Sequence, residues 1–217
     1  MSEKNVEVME DILSENGRIA LSIRNMLSGR HILSVNVMGA PGTGKTSVLK
    51  RIISRLPGSS SVIEGDVESD IDTKDLNSRG IQAFQINTMG GCHLDAPMIS
   101  SALADFSVGD GNYLFIENIG NLICPAEFDI GEHLRMIICS AADGSDKPYK
   151  YPLAFERADA VIINKDDLLP YVDFDREFFE KGLRKLNKKT GIFSVSCKND
   201  RGFEPVVEWL IKQKNLI

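Results

Sequence analysis

The chain of 217 residues is expected to fold as an α/β protein in three layers, with a mostly parallel central sheet covered by helices on both faces. Three observations predict this. Near-continuous apolar runs recur along the chain, as expected for strands buried on both faces. Stretches of helical periodicity separate them, which is the alternation that builds parallel sheets. A glycine-rich segment (39–46) also ends one such run and opens a helical stretch. No internal repeat, low-complexity tract or linker interrupts the alternation, and the length suits one domain able to bury a proper core.

In chain order, 6–29 carries apolar residues at helical spacing with Gly29 as a stop. Residues 1–30 are read as an N-terminal helix packed on the outside of a domain formed by 31–217. Residues 31–38 form a strand, 44–56 the following helix and 60–65 a second strand. A short helix over 70–79 leads to a strand at 82–87. The stretch 93–106 is helical, with Pro97 tolerable only near its start. Buried strands are expected at 113–118, 135–141 and 158–164. An amphipathic helix over 173–188, a last strand at 192–196 and a closing helix at 203–213 complete the pattern.

Apolar residues make up 42% of the chain and charged ones 26%, which places it among globular proteins. The net charge of −6 leaves no basic surplus to neutralise phosphates, so nonspecific nucleic-acid binding is not expected. The first thirty residues mix acidic, basic and apolar types unlike a signal peptide, and no apolar run approaches bilayer length. A cytoplasmic protein is expected, with neither membrane nor nucleic acid as partner. Cys92, Cys124, Cys139 and Cys197 are too few for a disulfide scaffold, so metal binding or reactivity is the reason to consider for any that matter.

"GAPGTGKT" (39–46) satisfies G-x-x-x-x-G-K-[ST] after a strand and before a helix, where the mechanism of a phosphate loop requires it. Gly39, Gly42 and Gly44 let successive amides turn inward towards phosphate oxygens. The helix N-terminus adds positive potential. Thr43, Lys45, Thr46 and Ser47 complete the loop, with Lys45 reaching the β- and γ-phosphates and the Thr46 hydroxyl ligating Mg²⁺. The domain is therefore expected to be a P-loop NTPase.

"IINKDD" (162–167) ends a strand with Asn164, Lys165 and Asp167. A carboxylate that accepts two N–H bonds fits the guanine edge, whereas adenine would leave it desolvated and unpaired. Asn164 supports the loop or the purine edge, and the stem of Lys165 covers the base plane. Ser196, Cys197 and Lys198 follow the last strand in the manner of the S-A-K loop that closes over guanine. Cys197 stands where alanine is usual, as a small residue touching the base through its backbone. These features point to GTP.

Hydrolysis needs Mg²⁺ and a positioned water. "FIENIG" (115–120) has the form of the D-x-x-G element with glutamate in place of aspartate. Glu117 would hold Mg²⁺ through water and the Gly120 amide would sense the γ-phosphate. "EGDVESDID" (64–72) supplies Asp66, Asp70 and Asp72 after the second strand. A solvated acidic loop is the plain reading of such a cluster. Asp66 and Asp72 are read as functional, and the role of Asp70 is left open.

Cys92 and His93 follow the strand at 82–87, and Cys124 follows the Glu117 strand. Carboxyl ends of parallel strands are where such sheets collect ligand-binding groups. Two thiolates and an imidazole fit a borderline-soft ion such as Zn²⁺ or Ni²⁺, though a Cys-His pair is also compatible with no metal at all. Three ligands leave the site incomplete, and a two-fold dimer would complete it. Four residues after Gly120 comes Cys124, so a segment that tightens on phosphate also moves a metal ligand, a coupling that must be reciprocal. Cys139 is assigned to the core. His31 and His133 are read as structural.

Together, "GAPGTGKT", "EGDV", "INTMGGCHLDA", "LFIENIGNLICPAEFDIGEH", "DKPYKYP" and "NKDDLLPYVDFD" resemble the HypB family of hydrogenase maturation GTPases, in the SIMIBI branch of P-loop GTPases, over nearly the whole chain. The resemblance implies a dimerising GTPase that helps insert nickel into [NiFe] hydrogenase. Its implied partners are the small zinc protein HypA and the hydrogenase large-subunit precursor. It makes Cys92, His93 and Cys124 the implied nickel or zinc ligands and puts Lys45, Asp72 and Glu117 at the reacting phosphate. Lys147 and Lys150 lie in a segment that in this family approaches the partner subunit's nucleotide, and Leu168 and Val172 match its apolar dimer contacts. Many relatives carry an N-terminal cysteine motif or histidine tract. Here no cysteine or histidine precedes His31, which favours metal transfer over storage. The urease accessory GTPases of the same branch use Cys-Pro-His, absent here. A small-molecule P-loop kinase is disfavoured by N-K-x-D, by E-x-x-G and by the lack of an arginine-rich lid.

Overall fold

A long helix, α1 (Glu3–Gly29), leads into β1 (Leu33–Met38) at the centre of the sheet. The computed structural model describes residues 3–66 and 71–217, the first ten of these by backbone alone. After β1 come α2 (Lys45–Ile53), β2 (Ser60–Asp66), α3 (Ile71–Ser78), β3 (Gln82–Asn87), α4 (Ala96–Asp105) and β4 (Tyr113–Glu117). The second half runs through α5 (Cys124–Glu127), β5 (Leu134–Ser140), α6 (Lys147–Lys150), α7 (Pro152–Glu156), β6 (Ala160–Asn164), α8 (Arg176–Leu186), β7 (Gly191–Ser194) and α9 (Glu204–Lys214). Two 3₁₀ turns, Ala141–Asp143 and Asp166–Tyr171, follow β5 and β6.

The seven strands lie in the order β3-β2-β4-β1-β5-β6-β7, and every strand pairing is parallel. The "mostly parallel" sheet expected from sequence is thus wholly parallel among the described strands. The chain passes from β4 to β5 across β1, so the crevice beside the end of β1 is the switch point where such sheets bind ligands. The phosphate loop sits there.

Side chains of β4 show how the layers separate. Tyr113 and Phe115 enter one core with Val35, Leu49, Ile52, Val206 and Leu210, under α2 and α9. Leu114 and Ile116 point to the other face and meet Ala20, Ile23, Leu27 and Ile99, from α1 and α4. A third cluster, around Phe155, Phe179, Leu183 and Ile163, seats α7 and α8 on β5 and β6. Burying each such side chain contributes roughly 1.5–3 kcal/mol.

The described part of α1 is bound by more than its apolar stripe. Asn16, buried, donates through Nδ2 to the Asp129 carbonyl (2.7 Å) and accepts through Oδ1 from the Ala96 amide (2.9 Å). Arg24 forms a two-pronged pair with the Asp129 carboxylate at 2.6 and 2.7 Å.

Two features differ from the sequence-based expectation. Helix α4 begins at Ala96 rather than at 93, because the Asp95 side chain caps it, accepting from the Met98 amide at 2.8 Å. Pro97 lies in the first turn, where its missing N–H costs no helical bond. His93 is thereby left in a loop, free to face Cys124. The short helices α5, α6 and α7 were not expected, since four or five residues are too few to show a helical period.

Candidate functional site

The phosphate loop is rigid by construction. Gly42 and Gly44 hold φ of 78° and 90°, a left-handed region that costs little only for glycine. A Cβ on Gly44 would also lie 2.6 Å from Asn164 Nδ2, and one on Gly39 would run into the Ile138 carbonyl. The loop's carbonyls are tied to the far side of the sheet: Asn164 Nδ2 donates to Thr43 O at 2.8 Å and Lys165 Nζ to Gly42 O at 2.7 Å. The Thr43 hydroxyl donates to Ala40 O at 3.0 Å. These bonds leave the loop's amides and Lys45 to line a cavity of about 600 Å³, together with Thr46, Ser47, Asp66, Asp72, Glu117 and Gly120.

Acidic groups converge on Thr46. Its hydroxyl lies 3.0 Å from Glu117 Oε1 and 3.4 Å from Asp72 Oδ2. Asp72, on the first turn of α3, is also 3.8 Å from Lys50 Nζ. Glu117 is buried, and its Oε2 has no hydrogen-bond partner in the structure. Burial pushes its carboxyl up to about 7, against the opposing pull of Lys45. An orphaned carboxylate oxygen beside a hydroxyl and a second carboxylate suits a hard divalent cation with oxygen ligands, so the donor set fits Mg²⁺. Asp66 lies at the end of β2 on the cavity wall. Asp70 lies outside the described residues.

On the base side, Asn164 ends β6 and Lys165 starts the 3₁₀ turn at φ 58°. Ser196 Oγ donates to Asp167 Oδ1 at 2.5 Å and accepts from the Asn199 amide at 3.1 Å. The Ser196 bond holds the Asp167 carboxyl below its ordinary range. Asp167 is therefore held in a fixed orientation. Cys197 is half-buried, its thiol raised by burial, and Arg51 donates to its carbonyl at 3.3 Å. Lys198 is exposed on the same loop.

The cysteine–histidine set is assembled from two loops. Ligand atoms of Cys92, His93 and Cys124 all lie within 4.8 Å of one another. Cys92 Sγ is 3.5 Å from His93 Nδ1, and the His93 ring stacks on Phe128 with centroids 4.0 Å apart. Its contact with the Cys124 sulfur raises the Cys92 thiol. Cys92 is exposed and the other two are half-buried, so an ion can enter and leave. Cys139, in contrast, is buried in β5, where desolvation raises its thiol strongly.

Elsewhere, Lys150 is exposed and paired with Asp146 at 2.6 Å. Leu168 and Val172 lie half-buried at and just beyond the 3₁₀ turn after Asp167. His31 is an exposed turn residue before β1, at φ 51°. His133 bridges Ser28 Oγ (2.8 Å) and Ser34 Oγ (2.7 Å).

Sequence reasoning passed over Glu64. Parallel register places it beside Glu117, where it is buried, lines the same cavity and accepts from Thr73 Oγ1 at 2.5 Å. Burial raises its carboxyl. The signal was present in "EGDV", where an acid interrupts an apolar strand. Asn118 and Asn121 were also passed over, and they join the loop that carries Cys92 and His93 to the Gly120 segment.

Residues 33–194 match the CobW/HypB/UreG nucleotide-binding domain. The chain is 41% identical over 210 residues to the hydrogenase maturation factor HypB of Rhizobium leguminosarum bv. viciae, covering 96% of this chain and 70% of the relative. The crystal structure of HypB from Helicobacter pylori in complex with nickel superposes with a TM-score of 0.87 at 32% identity, covering 93% of this chain and 95% of that one. The hydrogenase maturation factor HypB from Archaeoglobus fulgidus gives a TM-score of 0.85 at 38% identity, covering 93% and 100%.

Proposed function

The chain belongs to the CobW/HypB/UreG family and, within it, to the HypB hydrogenase maturation factors, and on that premise we propose that it is a GTP-hydrolysing protein that carries nickel for the assembly of a [NiFe] hydrogenase. The observation that carries this reading is the convergence of Cys92, His93 and Cys124 on the segment that follows Gly120 in a phosphate-binding crevice. The solved relative from H. pylori is described in complex with nickel.

In the proposed reaction, water attacks the γ-phosphorus of GTP, the bond to the β-phosphate oxygen breaks, and GDP and phosphate leave. The amides around Gly42–Ser47 and the Lys45 ammonium hold the phosphate oxygens and stabilise the charge that spreads over them. Thr46, Asp66, Asp72 and Glu117 would hold Mg²⁺, which supplies charge neutralisation to the phosphates. Asp167, fixed by Ser196, accepts from N1–H and N2–H₂ of guanine. Asn164 locks the loop to the base site. The Gly120 amide reports whether the γ-phosphate is present.

Nickel is the cargo. Two sulfurs and an imidazole nitrogen suit Ni²⁺ and Zn²⁺ alike, with geometry and availability deciding between them. Three ligands leave coordination incomplete, so a second copy of the chain, meeting through Leu168 and Val172, would complete the ion's shell and bring Lys147 and Lys150 towards the other nucleotide. A HypA-type zinc protein and the hydrogenase large-subunit precursor are the proposed donor and recipient partners, in the cytoplasm. Among the described residues no helix is long and apolar enough to cross a membrane.

Competition binding tests the nucleotide assignment: GTP displaces a labelled GTP analogue and ATP does not. Equal displacement by ATP would point to a kinase-like site. Nickel titration in the presence of a nonhydrolysable GTP analogue tests the cargo, with one ion bound per two chains of the wild type and none by a Cys92→Ala/Cys124→Ala variant.

A further inference from the structure

The segment 118–121 touches both sites at once. At Gly120 it packs against the phosphate loop so closely that a Cβ would lie 2.9 Å from Pro41 Cγ. On either side of Gly120, an asparagine reaches across to the loop that carries Cys92 and His93. Asn118 Oδ1 accepts from the Leu94 amide at 3.2 Å and from the Ile119 amide at 3.0 Å. Asn121 Nδ2 donates to the Cys92 carbonyl at 3.3 Å. His93 is thus clasped between two peptide groups, each tied to a different residue of one segment.

The two ties differ in what stands behind them. Asn118 is 1% exposed, and its Nδ2 donates to Asn36 Oδ1 at 3.2 Å. Asn36 in turn donates to Glu132 at 3.4 Å, and Glu132 takes Arg135 Nε at 2.6 Å. Asn36 and Glu132 are also buried. This chain of donors fixes the sense of every amide in it, so Asn118 is anchored to the sheet and has no freedom to follow a moving loop. Asn121 has no such backing. Its backbone amide bonds to Ile119 O at 2.6 Å, its Oδ1 accepts from the Ile123 amide at 2.9 Å, and Cys124 is the next residue. It belongs to the part of the segment that a phosphate at Gly120 would draw in.

We propose that Asn118 and Asn121 are positioning residues that convert phosphate occupancy at the phosphate loop into a change in the spacing of Cys92, His93 and Cys124. Asn118 holds the Leu94 end of the metal loop as a pivot. Asn121 carries the Cys92 end along with Cys124 when Gly120 moves. The two sulfurs then shift together relative to the imidazole, and affinity for a soft divalent ion changes with the nucleotide. This rests on the reading of the protein as a nucleotide-switched metal carrier. It adds that chain continuity from Gly120 to Cys124 is insufficient, because Cys92 and His93 sit on the other loop, whose backbone is tied to that segment through the asparagines.

The experiment measures nickel affinity of the full chain with Mg²⁺ and either GDP or a nonhydrolysable GTP analogue, in the wild type, Asn121→Asp and Asn118→Ala. Asn121→Asp keeps the acceptor for Ile123 and replaces the donor to Cys92 with a carboxylate oxygen, whose charge acts on the ion in both nucleotide states and so cancels from their ratio. The wild type is expected to show at least about a fivefold affinity ratio between the two states. Asn121→Asp should still bind nickel in both states, with the ratio reduced to within about twofold of unity. Asn118→Ala should do the same. It strands the Leu94 amide and Asn36 Oδ1, so if it fails to fold, Asn121→Asp carries the test alone. A wild-type ratio preserved in Asn121→Asp overturns the assignment, as does loss of nickel binding in both states, which would mark a purely structural role. A ratio of one in the wild type overturns the switch itself, a distinct failure.

Discussion

The phosphate loop and the cysteine–histidine loop occupy the same rim of the sheet and are built in opposite ways. The first is one unbroken stretch of eight residues, 39–46, running from the end of β1 into the first turn of α2, clamped by Asn164 and Lys165 from the end of β6. Those bonds fix its shape in the absence of any ligand. The second joins the loop after β3 to the loop after β4, although β2 lies between those strands. Its ligands are partly exposed, and two asparagines hold its halves together. On the proposed function, the contrast is that between a preorganised binder of a fixed charge pattern and an adjustable holder of an ion that would later be released.

Breaking the rigid region should give the largest effects. Lys45→Ala is expected to lower GTP turnover by at least about 100-fold, read as phosphate release, while nickel stoichiometry stays at the wild-type value. Asp167→Ala should reduce the preference for GTP over ATP by about 10–100-fold, since it removes a charged acceptor of two hydrogen bonds; competition binding reads this. Gly44→Ala forces a side chain into left-handed backbone against Asn164 and should cost about 1–3 kcal/mol of stability, visible as a lower melting temperature.

In the adjustable region, Cys124→Ala should abolish stoichiometric nickel binding and leave the melting temperature within a few degrees of wild type, because this half-buried thiol carries no core packing. The smallest effect is expected far from both sites. Burial, aided by Arg24, holds the His133 imidazole below its ordinary range, and Nδ1 accepts from the Ser34 amide at 3.1 Å. Folding therefore disfavours the protonated ring. Stability from this group is fully present above the ordinary histidine value of about 6.5 and is lost as pH falls through it, by at most about 1.4 kcal/mol per pH unit. His133→Asn should flatten that part of the pH–stability profile.

How much was legible in the sequence follows from the same contrast. The phosphate loop, N-K-x-D and E-x-x-G are local patterns whose spacing is dictated by a ligand, and each was readable as a string. The central strands were visible as apolar runs because both faces of the sheet are covered there, whereas the edge strands β3 and β7 are half-buried and showed only short apolar stretches. The pairing of Glu64 with Glu117 depends on β2 lying beside β4, an order no local pattern records. For Asn118 and Asn121 the chemistry lies in which backbone group each meets, and asparagine after a strand is common enough in turns to raise no flag. Cys92 and Cys124 stood out because cysteine is scarce in this chain and because both follow strands, Cys92 beside a histidine; their approach depends on Asp95 capping α4 so that it starts after His93.

The central claim is that nucleotide and metal occupancy are not independent, and reciprocity gives its most direct test. Affinity for a nonhydrolysable GTP analogue should be measured in the wild type with and without saturating nickel. The two values are expected to differ by the same factor that separates nickel affinities in the GTP-analogue and GDP states, after correction for the effect of nickel on GDP binding. Identical analogue and GDP affinities with and without nickel would show two sites sharing a rim and nothing more.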